Sequence, residues 1–147
     1  MLDSVIKWIL KIWDFSKVKK IVWEEERGWF IVPLISYETK IPFTLAKWNP
    51  LWIKWEIKIN FRNMYCWGNI YLNWLKSRDK IIIIEDMIDT WWTIISLIKL
   101  LESQNIEILD IISISLKKEE NWIKRIFEET WYKVKYLCEF SISWKKI

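Results

Sequence analysis

Glu85, Asp86, Asp89, Thr90 and Thr93 are the residues whose types and spacing could do chemistry together. Glu85 and Asp86 follow the apolar run Ile81, Ile82, Ile83, Ile84. Two acids closing a buried strand can accept hydrogen bonds from a diol such as a ribose. Asp89, Thr90 and Thr93 straddle the expected start of a helix. Exposed backbone N–H groups and the helix dipole favour an anion there, and threonine hydroxyls add donors. Acids for a sugar beside amides for a phosphate suit a sugar phosphate. A plainer reading makes Asp89 or Thr90 a simple helix N-cap with two solvated acids nearby. A lone acid pair is weak evidence. The ordered pattern of apolar run, Glu-Asp, two apolar residues and Asp-Thr-x-x-Thr is stronger.

These residues need elements to hold them. Periodicity and turn residues predict a helix near 2–13, a strand near 19–23, a loop at 24–28 and a helix near 30–37. A strand near 42–46 precedes an irregular polar-aromatic stretch at 47–68, with a possible strand near 56–60. Strands follow near 69–72 and 80–85, then a helix at 93–103, a strand at 107–116, a helix at 121–130 and a strand at 133–140. Strands alternating with helices predict an α/β fold, a parallel sheet covered on both faces. The all-isoleucine run is what a doubly buried central strand requires. Ligands in such folds bind beyond the carboxyl ends of the strands, where residues 85–93 lie.

Length and composition narrow the function classes. A chain of 147 residues with 52% apolar residues suits one domain with a real core, and residues 1–147 are read as one. The net charge is +4 but the lysines are spread along the chain, which fits a polyanionic small molecule as well as nucleic acid. The absence of histidine excludes His-based triads and His metal sites. Cys66 and Cys138 share no metal-ligand spacing, so reduced thiols and no protein metal cluster are expected. Lysines interrupt the N-terminal apolar stretch, which reads as an amphipathic helix and not as a signal peptide; a cytoplasmic location is the expectation.

Tryptophan and glycine are inverted in frequency, with 14 Trp against 2 Gly. Glycine ordinarily makes up about 7% of residues. Several tryptophans stand where glycine belongs. Trp131 follows a helix and precedes a strand, the position where positive φ is favoured. Trp74 follows Asn73 in a turn, and Trp144 sits where a C-terminal hairpin would turn. Trp91 and Trp92 sit in the strand-to-helix phosphate loop. The expectation is that most of these tryptophans are glycine in the living protein. Some bacterial lineages read UGA as glycine and others read it as tryptophan. The abundance of Ile and Lys fits an AT-rich gene.

The segment from Ile81 to Thr93 resembles the 5-phosphoribosyl 1-pyrophosphate (PRPP) signature of type I phosphoribosyltransferases. Read with glycine at the tryptophans, Val22-Trp23-Glu24-Glu25-Glu26-Arg27-Gly28 resembles the Gly-x-Glu-Ala-Arg-Gly loop of adenine phosphoribosyltransferases. Ile41-Pro42-Phe43 with Lys47, the stretch 69–76 and the stretch 128–135 extend the likeness to the archaeal hypoxanthine and adenine group. The resemblance covers residues from about 19 to the end. It implies a mostly parallel sheet flanked by helices, a mobile loop at 47–68 and a reduced purine-covering hood.

Carried over by residue, Glu85 and Asp86 would hold the ribose hydroxyls. Asp89, Thr90, Trp91, Trp92 and Thr93 would wrap the 5′-phosphate. Arg27 and Lys47 would lie near the pyrophosphate. Asp89 matches an aspartate near N7 of the base, a candidate general base. It leans towards hypoxanthine or guanine, whereas the Arg27 loop leans towards adenine, and the choice of base stays open. Leu116-Lys117-Lys118 is a candidate purine contact. Mg²⁺ would bind mainly through PRPP oxygens. The implied function is purine salvage by a homodimer.

Two other functions fit less of the sequence. One is a non-catalytic regulator that senses PRPP or binds RNA, although no aromatic RNA-reading motif is recognisable. The other is a piece related to PRPP synthetase, for whose two domains the chain is too short. A dinucleotide-binding fold is excluded because no Gly-x-Gly-x-x-Gly follows the first strand, even with Trp read as Gly.

Overall fold

A computed structural model describes residues 2–24, 31–62, 67–88, 91–118 and 121–141. The described elements are α1 (Leu2–Ile12), β1 (Lys20–Glu24), α2 (Ile31–Thr39), β2 (Phe43–Ala46), β3 (Ile57–Arg62) and β4 (Trp67–Leu72). After them come β5 (Lys80–Ile88), α3 (Trp91–Ser103), β6 (Glu107–Lys117), α4 (Trp122–Thr130) and β7 (Val134–Phe140). Five strands form one sheet in the order β2-β1-β5-β6-β7, with every neighbouring pair parallel. The expected α/β architecture is therefore present. The strand order reverses between β1 and β5, because the chain leaves β1 for β2 on one side and returns to place β5 on the other.

Side-chain alternation divides the central strands between two cores. Ile81 and Ile83 pack with Val22, Ile111, α3 residues such as Ile94 and Ile98, and Leu72 at the end of β4. Ile82 and Ile84 pack with Ile21, Trp23 and Ile112, and with Ile9 and Ile35 from α1 and α2. A strand with both faces covered can be apolar throughout, which is why β5 opens with an unbroken isoleucine run. Helix α1 forms because Leu2, Val5, Ile6 and Ile9 recur on one face, and that face lies on the second core. The Trp13 indole N–H donates to Asp110 at 2.5 Å, tying the end of α1 to β6.

Boundaries differ from expectation at β5 and α3, and the possible strand near 56–60 is present as β3. Strand β5 continues to Ile88 and not Glu85, because β6 pairs with it as far as Ile88↔Leu116. Helix α3 starts at Trp91, so both tryptophans of the expected phosphate loop lie in its first turn. The stretch 47–68 contains β3, paired antiparallel with β4, and Lys47 bridges to Tyr71. That ribbon gives part of the stretch regular backbone pairing. The Trp144 turn lies outside the described residues.

Backbone conformation bears on the tryptophans. Trp52, Trp74 and Trp131 have φ of 58°, 63° and 63°, the left-handed region. Their side chains are 86%, 64% and 78% exposed, so burial does not offset the conformational cost. That cost is about 1–2 kcal/mol for an L-residue with a Cβ. Trp131 closes α4 with its N–H on the Phe127 carbonyl at 2.8 Å, the αL cap that glycine normally fills. Trp74→Gly is expected to raise the unfolding free energy by about 1 kcal/mol. Trp131→Gly should gain less, since its ring contact with Phe127 is lost. Urea titration of the variants checks this, and an unchanged or lowered midpoint for Trp74→Gly would contradict it.

Candidate functional site

The carboxyl ends of β1, β5 and β6 meet at the point where strand order reverses. In folds of this kind ligands bind at such a point, because the connections from adjacent strands leave in opposite directions. Parallel pairing sets Lys20, Ile21 and Val22 beside Ile81, Ile82 and Ile83. Continuing that register puts Glu24 beside Glu85 on the same face. Strand β1 stops at Glu24, so no described residue pairs with the edge of β5 beyond Glu85. On its other edge, β5 stays paired with β6 to Ile88. The acids thus sit on a strand held firmly along its β6 edge.

Glu85 is buried, at 7% exposure, whereas Asp86 is half-buried. Alternation turns the two carboxylates to opposite faces of β5. A ribose would reach both by lying across the strand edge. Burial pushes the Glu85 carboxyl well above its ordinary value, and the charges of Glu24 and Asp86 push it further the same way. The backbone N–H of Glu24 donates to the Glu85 carboxylate and opposes that rise without cancelling it. The Glu24 carboxylate accepts a hydrogen bond from the Trp48 indole N–H at 2.7 Å. From the β6 side, the Ser115 hydroxyl donates to the Asp86 carbonyl at 2.9 Å and anchors the backbone just after the acids.

Helix α3 begins three residues after Ile88, with Thr93 half-buried in its first turn. The adjoining Trp91 and Trp92 pack partly against the main core. Trp91 lies 6.4 Å from Trp122 at the start of α4, and Arg125 stacks 3.5 Å over the Trp91 ring. Lys47 follows Ala46, the register partner of Glu24, so the structure brings it to the same end of the sheet. The backbones of Lys47 and Tyr71 exchange two hydrogen bonds of 2.8 Å. The structure therefore gathers Glu85, Asp86, Trp91, Trp92, Thr93 and Lys47. Arg27, Asp89 and Thr90 lie outside the described residues. Leu116, Lys117 and Lys118 line an open cavity of about 600 Å³ against α4 and β7, and Leu116 pairs with Ile88 of β5.

Sequence reading missed Glu24 and Arg125. Glu24 stood as the variable position of a loop motif, although its register with Glu85 follows once β1 is placed beside β5. Arg125 lies far from the acids in sequence and carries no motif. Among the described residues no group of three or more Cys, Asp or Glu side chains is placed to hold a metal ion. Among the same residues no helix is long and apolar enough to cross a membrane.

The buried Glu85 yields a pH prediction. Its folded pKa is raised, so above about 4.5 the folded state binds more protons than the unfolded chain. The stability contributed by this proton is present below 4.5 and is lost as pH rises through the raised value. Glu85→Gln keeps the shape and removes the titration. Its stability relative to the parent should rise with pH above 4.5 and then level off. Thermal unfolding of both proteins across a pH series measures this, and a pH-independent difference would rule it out.

No family model matches the chain. Curated relatives do. A hypoxanthine/guanine phosphoribosyltransferase of Methanocaldococcus infernus is 33% identical over 142 residues, covering 97% of this chain and 76% of that protein. The protein of the same name from Methanotorris igneus is 31% identical over 147 residues, covering 100% of this chain and 79% of that protein. Another from Methanosarcina barkeri is 35% identical over 114 residues, and there the match spans only 60% of the relative's length. Among solved structures, an adenine phosphoribosyltransferase from Thermoanaerobacter pseudethanolicus superposes with a TM-score of 0.80 over 95% of this chain and 80% of that one, at 18% identity. One from Giardia lamblia, complexed with 9-deazaadenine, gives 0.81 over 95% and 79%, at 16% identity. At such identities the structures speak for the fold, and the sequence relatives carry the family.

Proposed function

This chain belongs to the purine phosphoribosyltransferase family, and we propose that it transfers the 5-phosphoribosyl group of PRPP to a purine, releasing pyrophosphate and a nucleoside monophosphate. That makes it a glycosyltransferase of the pentosyl class acting in purine salvage. One observation supports the reading: the Glu85-Asp86 step lies near the carboxyl end of β5 at the strand-order reversal, on the strand that leads to α3. This is the layout needed to hold a sugar diol and a terminal phosphate at once.

A purine nitrogen attacks ribose C1 as the C1–oxygen bond to pyrophosphate breaks. Positive charge develops on the sugar, and nearby carboxylates stabilise it electrostatically. Glu85 and Asp86 fix the ring by its hydroxyls, so C1 faces the incoming base. The first turn of α3 anchors the 5′-phosphate, with Asp89, Thr90 and Thr93 assigned to that loop. Arg27 and Lys47 are assigned to the leaving pyrophosphate, whose charge needs cations. Asp89 is assigned as the acceptor of the purine proton. The names of the sequence relatives and the assignment of Asp89 support a 6-oxopurine as the base.

Mg²⁺ belongs to the same reading, carried mainly on PRPP oxygens to neutralise the departing diphosphate. The half-buried Asp86 offers the hard oxygen donor such an ion accepts, while the described residues supply no cage of their own. The reading also includes residues 1–147 as one domain, closure of the 47–68 stretch over the substrate, a reduced hood, and a homodimer in the cytoplasm.

Recoding of most tryptophans to glycine is part of the proposal. Among the described residues, three of the seven non-glycine residues with positive φ are tryptophans, and all three are exposed. Trp13 and Trp23 are different, since they are buried in the core against α1 and α2. Glycine at 91 and 92 would open the first turn of α3 for a phosphate, which two indoles now crowd. The natively expressed protein should have an intact mass below that of fourteen tryptophans. Protein made with Trp91→Gly and Trp92→Gly should form nucleotide from PRPP, Mg²⁺ and hypoxanthine or guanine. The chain with both tryptophans should be slower by about 100-fold in kcat/KM, given the usual cost of misplacing a reacting group. Product formation separated by chromatography tests this. Equal turnover by the two proteins would refute the role of the indoles, and PRPP binding without turnover by either would point to a regulator.

A further inference from the structure

Helix α4 has its own stake in the first turn of α3. Arg125 lies three residues after Trp122, so both project from the same side of α4, and both meet Trp91. The Arg125 guanidinium lies 3.5 Å from the centre of the Trp91 ring. Its Nε also pairs with Glu129 Oε1 at 3.3 Å, and Glu129 in turn meets Lys99 Nζ of α3 at 3.3 Å. The Lys99–Glu129–Arg125 chain links the two helices and aims the guanidinium at the start of α3. Its neighbour Lys124 pairs with Glu128 and takes no part in that chain.

Trp91 stands where the proposed function needs glycine and a phosphate. A group stacked on that indole borders the space a phosphate would take once the indole is gone. Arginine suits such a place, since its planar fork can donate two parallel hydrogen bonds to phosphate oxygens.

We propose that Arg125 is a substrate-binding residue that reaches from α4 to the 5′-phosphate of the phosphoribosyl donor. This rests on the phosphoribosyltransferase reading. It adds a side-chain cation from a separate helix to a site otherwise made of backbone amides and threonine hydroxyls. It also gives α4 a part in recognising a phosphorylated sugar.

The test uses the full chain carrying Trp91→Gly and Trp92→Gly, titrated calorimetrically with ribose 5-phosphate and, separately, with inorganic pyrophosphate. Arg125→Ala should weaken ribose 5-phosphate by about tenfold, the usual scale for losing a charged hydrogen bond, and leave pyrophosphate within about twofold. Arg125→Lys should recover part of the loss, and Lys124→Ala should change neither ligand. In turnover, Arg125→Ala should raise KM for PRPP with kcat preserved. Unchanged ribose 5-phosphate affinity in Arg125→Ala overturns the proposal, and so does an equal loss for both ligands, which marks general disturbance of the helix pair. Failure of the parent itself to bind ribose 5-phosphate or PRPP sinks the transferase reading, and Arg125 with it. Binding by the parent that ignores Arg125 sinks this inference alone.

Discussion

The parallel pairing of β1 with β5 is the constraint on which the rest depends. It puts an apolar strand at the centre of the sheet and buries the isoleucine run on both faces. It also creates the reversal of strand order. The printed register runs from Lys20↔Ile81 to Val22↔Ile83, so the described part of β1 reaches the level of the acids at Glu24. A weaker β5 would let the acids drift, but its pairing with β6 continues past them to Ile88. Site and scaffold are thus joined through the same two strand pairings.

That arrangement has an electrostatic consequence. Glu24, Glu85 and Asp86 crowd negative charge at one end of the sheet, and burial prevents water from screening it at Glu85. Both effects favour the protonated form of Glu85 over the ionised one. On the proposed function, a ligand bringing hydroxyl donors and a cation would offset that repulsion by satisfying the carboxylates directly. The Glu24 backbone N–H and the Trp48 indole keep this charge oriented meanwhile.

Much of this was legible in the sequence because the signals are local. The isoleucine run announced a doubly covered strand, and the alternation of strands and helices announced a parallel sheet. The acid pair and the threonines were read as a ligand site from their types and spacing alone. What was not legible depends on contacts between distant segments. The extension of β5 to Ile88 follows from its partner β6, not from its own residues. The Glu24–Glu85 neighbourhood requires knowing which strands lie side by side. Arg125 reaches Trp91 only because α3 and α4 pack together, and no spacing along the chain encodes that.

The tryptophans separate two demands that a sequence normally meets together. The core around α3 and α4 is aliphatic, and its fully buried members include no tryptophan. Trp52, Trp74 and Trp131 lie exposed at positive φ, where they distort turns without touching that core. A cooperative fold can absorb such costs because each is small beside the burial of the isoleucines. A phosphate loop has no such tolerance, since the ligand must approach the backbone itself and a Cβ at the wrong place excludes it. On the proposed recoding, the same exchange of glycine for tryptophan would be a modest strain in a turn and an obstruction at residues 91 and 92. The aliphatic pattern can specify the architecture while the state of two residues decides whether that architecture can hold a phosphate.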